Sequence, residues 1–355
     1  MGLFEDVLKG DESLIRNENA LDYEFLPKIL PYREQEQKYL ATCIKPLFQK
    51  RSGRNLLIHG PPGIGKTAAT RFVLRELEEE TDDIHPVYVN CWQHNTTYKV
   101  LLEICEQVGY KFTQNKKTTE LYDVVQRIVN KGAAVFVLDE IDKAEDFDFL
   151  YFILEEVFHK AIFLLTNYKS WLVELDERIK SRLTPEMIEF KQYTETETRG
   201  ILKERLDYAF APGAWEDKAL EMVVQKTASL KDIRSGLFLM REAALQAEDQ
   251  SKKRIQPEDV EKAIKKLDDF TVKNSAELAA DEQLILKTIK ANPESRIGEV
   301  YKQYKKAGGA ASYKTFQRKI KKLEEGKFIS AEKTMGGTEG NTTIIRQGSK
   351  KLTDY

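Results

Sequence analysis

The run Gly60-Pro61-Pro62-Gly63-Ile64-Gly65-Lys66-Thr67 constrains this chain more than any other stretch. It fits G-x-x-x-x-G-K-[ST], in which glycines let the backbone curl so that N–H groups and a helix N-terminus converge on phosphate oxygens. A Gly/Pro-rich turn can carry the same letters by chance, so the flanks decide. Asn55-Leu56-Leu57-Ile58-His59 reads as a short buried strand. Ala68 to Glu80 reads as a helix with Ala69, Val73 and Leu77 spaced four apart. Strand, loop and helix in that order make a nucleoside triphosphate site. Gly60, Gly63, Ile64, Gly65, Lys66, Thr67 and Ala68 are its expected contacts to ATP or ADP. Lys66 reaches the outer phosphates, and the Thr67 hydroxyl takes a place on Mg2+.

Downstream, apolar runs alternate with helical stretches: Val87-Tyr88-Val89, Ala134 to Leu138, Ala161 to Leu165, then Met187 to Phe190. That alternation predicts a parallel sheet with helices on both faces. Upstream, a helix is expected from Arg33 to Gln49. Residues 194–269 read as helices only, with turns at Ala211-Pro212-Gly213 and near Lys231, and 270–280 as a linker. Beyond it, Leu284, Ile285 and Ile289 fit one helix and Ile297 to Lys306 a second. Ser312 caps a third that runs to Glu325. Phe328-Ile329 and Thr343-Ile344-Ile345 then flank the loop from Met335 to Asn341. Three helices and a glycine-rich hairpin outline a winged helix. The expected fold is therefore α/β: a P-loop core with a parallel sheet over 1–192, a helical domain over 193–270 and a winged-helix domain over 275–355.

Charge sharpens that division. Residues 281–355 hold 16 Lys/Arg against 9 Asp/Glu, a balance of +7, so the net −2 of the whole chain leaves −9 for residues 1–280. A polyanion, if bound, meets the C-terminal part. No run of ~18 apolar residues offers a membrane span, and the first residues lack a basic region and apolar core. Asp6 stands where a myristoylation signal wants Ser or Thr. Three cysteines without metal-ligand spacing fit a reduced, cytoplasmic chain.

The chemistry beyond the loop is carried by strand ends. Ala134-Val135-Phe136-Val137-Leu138-Asp139-Glu140 is an apolar strand closed by two carboxylates, the Walker B pattern. Asp139 holds Mg2+, usually through water, and Glu140 orients the water that attacks the γ-phosphate. The next strand ends at Asn167, the sensor 1 position, where an amide meets both the γ-phosphate and the attacking water; Asn is also a common turn residue. In Leu175 to Leu183, Arg182 is the first candidate for an arginine supplied in trans, with Arg178 second. Arg234, in the helical domain, is placed to couple nucleotide state to domain closure. On the third C-terminal helix, Phe316, Ile320 and Leu323 mark a buried face. At about 100° per residue, Lys314, Arg318 and Lys321 lie opposite, with Lys322 at the margin. Such a helix reads DNA phosphates and base edges, or is simply a solvated basic face. Lys333 and Arg346 flank the wing.

Taken together, these stretches resemble the archaeal replication-initiator family related to the origin recognition complex and its cell-division-control partner. Val89-Asn90-Cys91-Trp92-Gln93-His94-Asn95-Thr96-Thr97-Tyr98, Val137 to Asp142, Leu175 to Leu183 and Phe190 to Thr194 carry the likeness, best over about residues 25–265. The resemblance implies an AAA+ ATPase with a lid domain and a winged helix. It implies that Tyr193 and Arg205 line the nucleotide site from the lid side. It also implies that a helical insertion near 92–115 contacts origin DNA. The implied partners are double-stranded origin DNA, the replicative helicase, and paralogous initiators or further copies of the chain; the implied place is the nucleoid. Two departures stand out. Where the family shows Gly-Asp-Ala-Arg, this chain has Lys231-Asp232-Ile233-Arg234, which keeps the arginine and alters the turn. Arg182 follows Ser181 where many archaeal members lack an arginine, as in eukaryotic and clamp-loader relatives. A clamp-loader-like or transposition-helper ATPase acting on a protein partner is the second reading.

Overall fold

The computed structural model describes residues 13–168, 171–276, 280–292, 295–325, 328–334 and 342–347. Five strands form one parallel sheet: β1 (Leu56–His59), β2 (Ile84–Asn90), β3 (Ala133–Asp139), β4 (Lys160–Thr166) and β5 (Glu186–Glu189), in the order β2-β3-β4-β1-β5. The strands are near-continuous apolar runs because both faces are covered. In β3, Ala134, Phe136 and Leu138 enter one core, while Ala133, Val135 and Val137 enter the other. Successive side chains point to opposite faces of a strand, so one sequence run serves two layers.

The helices that cover those faces follow from where each apolar stripe falls. On one face lie α1 (Glu34–Ile44) and α2 (Lys66–Glu80), which bury Leu40, Cys43, Ile44, Ala69, Val73, Leu74 and Leu77. On the other lie α3 (Thr97–Gln107), α4 (Thr118–Val129) and α5 (Asp148–Glu156). Each fully buried Leu, Ile or Phe in these layers contributes on the order of 1.5–3 kcal/mol. The helix expected over Arg33 to Gln49 stops at Ile44; Pro46, which cannot donate a backbone hydrogen bond, turns Lys45–Gln49 into a 3-10 segment. The segment near 92–115 is not an appendage throughout: Val100, Leu101, Ile104 and Cys105 of α3 are fully buried in the main core.

After β4 come α6 (Trp171–Glu174) and α7 (Glu177–Leu183), and after β5 come α8 (Glu195–Ala209), α9 (Asp217–Leu230), α10 (Ile233–Glu248) and α11 (Pro257–Ala276). The linker expected over 270–280 is instead largely helical. Helix α11 runs on to Ala276 and α12 (Ala280–Ala291) begins four residues later. Residues 270–276 contain no Gly or Pro, so α11 continues to Ala276. The C-terminal part continues with β6 (Ser295–Arg296), α13 (Ile297–Lys306), α14 (Tyr313–Glu325), β7 (Ile329–Thr334) and β8 (Thr342–Gln347). Strands β6, β8 and β7 form an antiparallel sheet in that order, and Ile285, Ile289, Val300, Tyr304, Phe316, Ile320, Leu323 and Ile345 form its core with the helices. The expected wing loop, Met335 to Asn341, lies outside the described residues.

By its internal packing the chain divides into two compact units. One comprises Arg16–Phe210 with Thr227–Leu237; the other includes Ala211–Lys226 and the chain from Phe238 onward. The sheet, α8 and the turn between α9 and α10 belong to the first.

Candidate nucleotide site

In a parallel sheet the strands' carboxyl ends open on one edge, and the chain reverses its strand order beside β1. The loops after β1, β3 and β4 emerge together there. The loop after β1 is the expected phosphate cradle, with Gly60, Gly63 and Gly65 at φ 145°, 73° and 86°. All three glycines are required by neighbours as well as by backbone angle, and a Cβ on Gly60 would collide with the Phe190 carbonyl oxygen. A Cβ on Gly63 would collide with the Asp232 carboxylate, and one on Gly65 with the Tyr193 hydroxyl. Gly65 caps α2, so Lys66, Thr67 and Ala68 form its first turn. The free N–H groups of such a turn are an anion site.

Lys66 is buried, and its Nζ donates to the carbonyls of Gly60 and Pro61 at 2.7 and 2.9 Å and to Asn167 Oδ1 at 2.9 Å. The expected Lys66 and sensor 1 residues thus meet directly. Thr67 Oγ1 donates to Asp139 Oδ2 at 2.5 Å, which joins the two residues expected on Mg2+. The oxygen pair suits a hard cation that takes one carboxylate, one hydroxyl and phosphate or water oxygens. Asp139 is buried at the end of β3; burial pushes its pKa up, opposed by hydrogen bonds from Thr67 and Tyr88. Next to it, Glu140 adopts φ 52°, the left-handed region, and its N–H donates to Asp139 Oδ1 at 2.8 Å. A non-glycine residue held there costs about 1–3 kcal/mol and is typical of a functional turn. A second strut crosses to the sensor strand: Thr166 Oγ1 donates to Asp142 Oδ1 at 3.0 Å, one residue before Asn167.

The far side of the cradle was only partly legible. Arg33, unassigned by sequence, is buried and forks across two backbone segments. Its Nε and one terminal nitrogen donate to Ile64 O at 3.2 and 2.9 Å, and the same terminal nitrogen reaches Lys191 O at 2.6 Å. Nε also donates to the Tyr193 hydroxyl at 3.1 Å, with the guanidinium 4.1 Å from the Tyr193 ring centroid. Tyr193 therefore stands against the cradle at Gly65, where the resemblance implied a nucleotide-lining residue. Arg205, implied beside it, is spent on the N-terminal segment: it donates to Ala20 O at 3.2 Å and Phe25 O at 2.9 Å and lies 4.8 Å from the Phe25 ring centroid.

The turn bearing Arg234 reaches the cradle. Ile233 N–H donates to Gly63 O at 3.3 Å, and Arg234 grips Asp232 through two nitrogens at 2.9 and 2.6 Å. Lys231 holds φ 57°. The altered Lys-Asp-Ile-Arg sequence thus keeps a left-handed residue where glycine would sit without strain. On α7, Arg182 pairs with Glu155 and donates to Arg178 O at 3.1 Å, while Arg178 pairs with Asp176 at 3.1 Å.

In the C-terminal part, Phe316, Ile320 and Leu323 are buried as the helical spacing predicts, and Lys314, Arg318, Lys321 and Lys322 are exposed. Lys322 departs from the set. Its ammonium is held by the nearly buried Glu282 at 2.9 Å, so it is committed to its own fold. Lys333 lies on β7 and Arg346 on β8, flanking the wing in sequence. Among the described residues, no helix is long and apolar enough to cross a membrane, and all three cysteines are buried and free.

Known proteins bear out this architecture. Residues 49–165 match an AAA domain, and residues 199–265 match a Cdc6 AAA+ ATPase-type lid domain. The ORC1-type DNA replication protein 2 of Methanosarcina mazei is 29% identical over 96% of this chain and 95% of its own length. The ORC1-type DNA replication protein 1 of Archaeoglobus fulgidus is 29% identical over 91% of this chain and 84% of its own. Among solved structures, the Aeropyrum pernix ORC1 protein in complex with DNA superposes with TM-score 0.68 and 27% identity, covering 96% of each chain. The ADP form of the Aeropyrum pernix ORC2 protein, at 18% identity and TM-score 0.70, shares the fold. With its nucleotide-binding P-loop core and Cdc6-type lid, the chain is an AAA+ ATPase that is similar over nearly its whole length to ORC1-type DNA replication proteins.

Proposed function

We propose that this protein is an ATP-dependent DNA replication initiator that docks on duplex origin DNA and recruits or loads the replicative helicase, with ATP hydrolysis as a slow switch. The observation that carries it is the seating of the Asp232–Arg234 turn on the phosphate loop, which lets the triphosphate and the lid sense each other. Mg2+ is held by Thr67 and Asp139, Lys66 neutralises phosphate charge, Glu140 and Asn167 orient the attacking water, and Tyr193 borders the cradle. When bound, the metal supplies charge compensation at the transferring phosphoryl group. Arg182 or Arg178 is offered to a neighbouring copy or paralogue. Lys314, Arg318 and Lys321 on α14 meet DNA phosphates, with Lys333 and Arg346 at the wing. The core, lid and winged helix divide near residues 192 and 270–275, and the protein works at the nucleoid.

The test is duplex binding by the full chain at several salt concentrations, with ATP, with ADP and in the Lys66→Ala variant, beside genome-wide mapping of occupancy. Affinity that falls with log salt, sites that coincide with replication starts, and loss of nucleotide binding in Lys66→Ala support initiation. Fast, sequence-indifferent, DNA-stimulated turnover without such sites would instead support a clamp-loader-like or transposition-helper role.

A further inference from the structure

Tyr88 lies on β2, whose register pairs it with Val137 of β3. Asp139 is two residues further along β3, on the same face as Val137, because strand side chains alternate. The diagonal between neighbouring strands is within reach of a long aromatic side chain. The Tyr88 hydroxyl donates to Asp139 Oδ2 at 2.9 Å, the same oxygen that accepts from Thr67 at 2.5 Å. With the Glu140 N–H on Oδ1 at 2.8 Å, both oxygens of the carboxylate are held. The ring is itself fixed: Arg71, one helical turn after Thr67 on α2, places its guanidinium 5.4 Å from the Tyr88 ring centroid.

We propose that Tyr88 is a positioning residue for the metal-binding carboxylate, setting the rotation of Asp139 so that Oδ2 and the Thr67 hydroxyl face one cation. Thr67 stands in the first turn of α2, whereas Tyr88 comes from a strand of the sheet next to β3. A donor anchored in the sheet fixes the carboxylate from a second element, independently of α2. Outer-sphere partners of this kind change metal affinity by about 10–100-fold when removed. The proposal rests on the assignment of Thr67 and Asp139 to Mg2+, and its test separates the two.

The full chain is titrated with ATP by calorimetry, first in EDTA and then at increasing Mg2+, for the parent, Tyr88→Phe and Asp139→Asn. Melting temperatures without ligand report folding. In Tyr88→Phe, the Mg2+ concentration that half-saturates the metal-dependent gain in ATP affinity rises by about tenfold. Affinity in EDTA stays within twofold. If Asp139→Asn abolishes the metal dependence while Tyr88→Phe leaves the midpoint unchanged, the role of Tyr88 is overturned. If Asp139→Asn also leaves it unchanged, the metal assignment itself fails. A Tyr88→Phe chain that weakens ATP equally with and without Mg2+ shows a general structural role and likewise overturns the proposal. Should Tyr88→Phe not fold, Tyr88→Met, which also lacks the hydroxyl, takes its place under the same criteria.

Discussion

The nucleotide cradle and the cationic helix α14 use charge in opposite ways. In the cradle, Lys66, Asp139 and Arg33 are buried, and each is satisfied by several partners at fixed distances. On α14, Lys314, Arg318 and Lys321 are exposed and stand on a helix whose other side fills a small apolar core. A buried charge stripped of its partner costs several kcal/mol, so the cradle tolerates few sequences. An exposed charge costs almost nothing to keep or replace, so α14 is held to a pattern but not to particular residues. Specific chemistry therefore sits in the cradle, and adjustable electrostatic attraction sits on the helix.

The contrast can be broken at its strong end first. Glu140→Gln keeps the shape of the turn and removes the carboxylate; hydrolysis should fall by ~10²-fold or more while ATP affinity stays within about twofold. Single-turnover hydrolysis measured beside equilibrium ATP binding checks this, and near-parental turnover would remove Glu140 from the chemistry. On α14 the comparison is sharpened by two charge reversals that look alike in sequence. Arg318→Glu should weaken duplex binding by about tenfold and reduce the slope of log affinity against log salt by about 1 or more. Lys322→Glu should affect DNA less and stability more. It sets a carboxylate beside Glu282, whose side chain is 5% exposed, at a cost of about 1–3 kcal/mol. Duplex titrations at several salt concentrations and urea unfolding of both variants would reverse that ranking if the two lysine and arginine roles were misassigned. The smallest effect is expected at Lys231→Gly, which relieves the left-handed backbone at φ 57° and should stabilise the chain by about 0.5–1 kcal/mol. A lowered unfolding midpoint would show that the turn draws its stability from the lysine side chain.

Particular residues show how far sequence reasoning reaches. Gly60 to Thr67 named their own role because a phosphate loop needs fixed residue types at fixed spacing along one strand–helix unit. The Phe316, Ile320 and Leu323 stripe was equally legible, since helical period is local. Arg33 was not. It precedes α1 by one residue, carries no spacing signal, and matters only because Ile64 and Lys191 come together around it. Tyr88 reads in sequence only as part of the apolar run Val87-Tyr88-Val89; its hydroxyl's partner is set by the pairing of β2 with β3. The linker expected over 270–280 failed for a different reason. Residues 270–276 hold no Gly or Pro to stop a helix, and Ala and Lys there are good helix formers, so α11 runs through to Ala276.

The sequence alone determined the triphosphate loop, the two carboxylates at the end of an apolar strand, the parallel sheet and the basic face of the third C-terminal helix, because each is written in neighbouring residues or in one repeat period. The tertiary structure decided which polar groups share an atom: Tyr88 and Thr67 on one oxygen of Asp139, Arg33 across Ile64 and Lys191, the Asp232–Arg234 turn against Gly63, and Lys322 withdrawn to Glu282. Those meetings depend on strand order and on contacts between residues far apart in the chain, and a hydrogen bond forms only when both ends arrive within about 3 Å of each other.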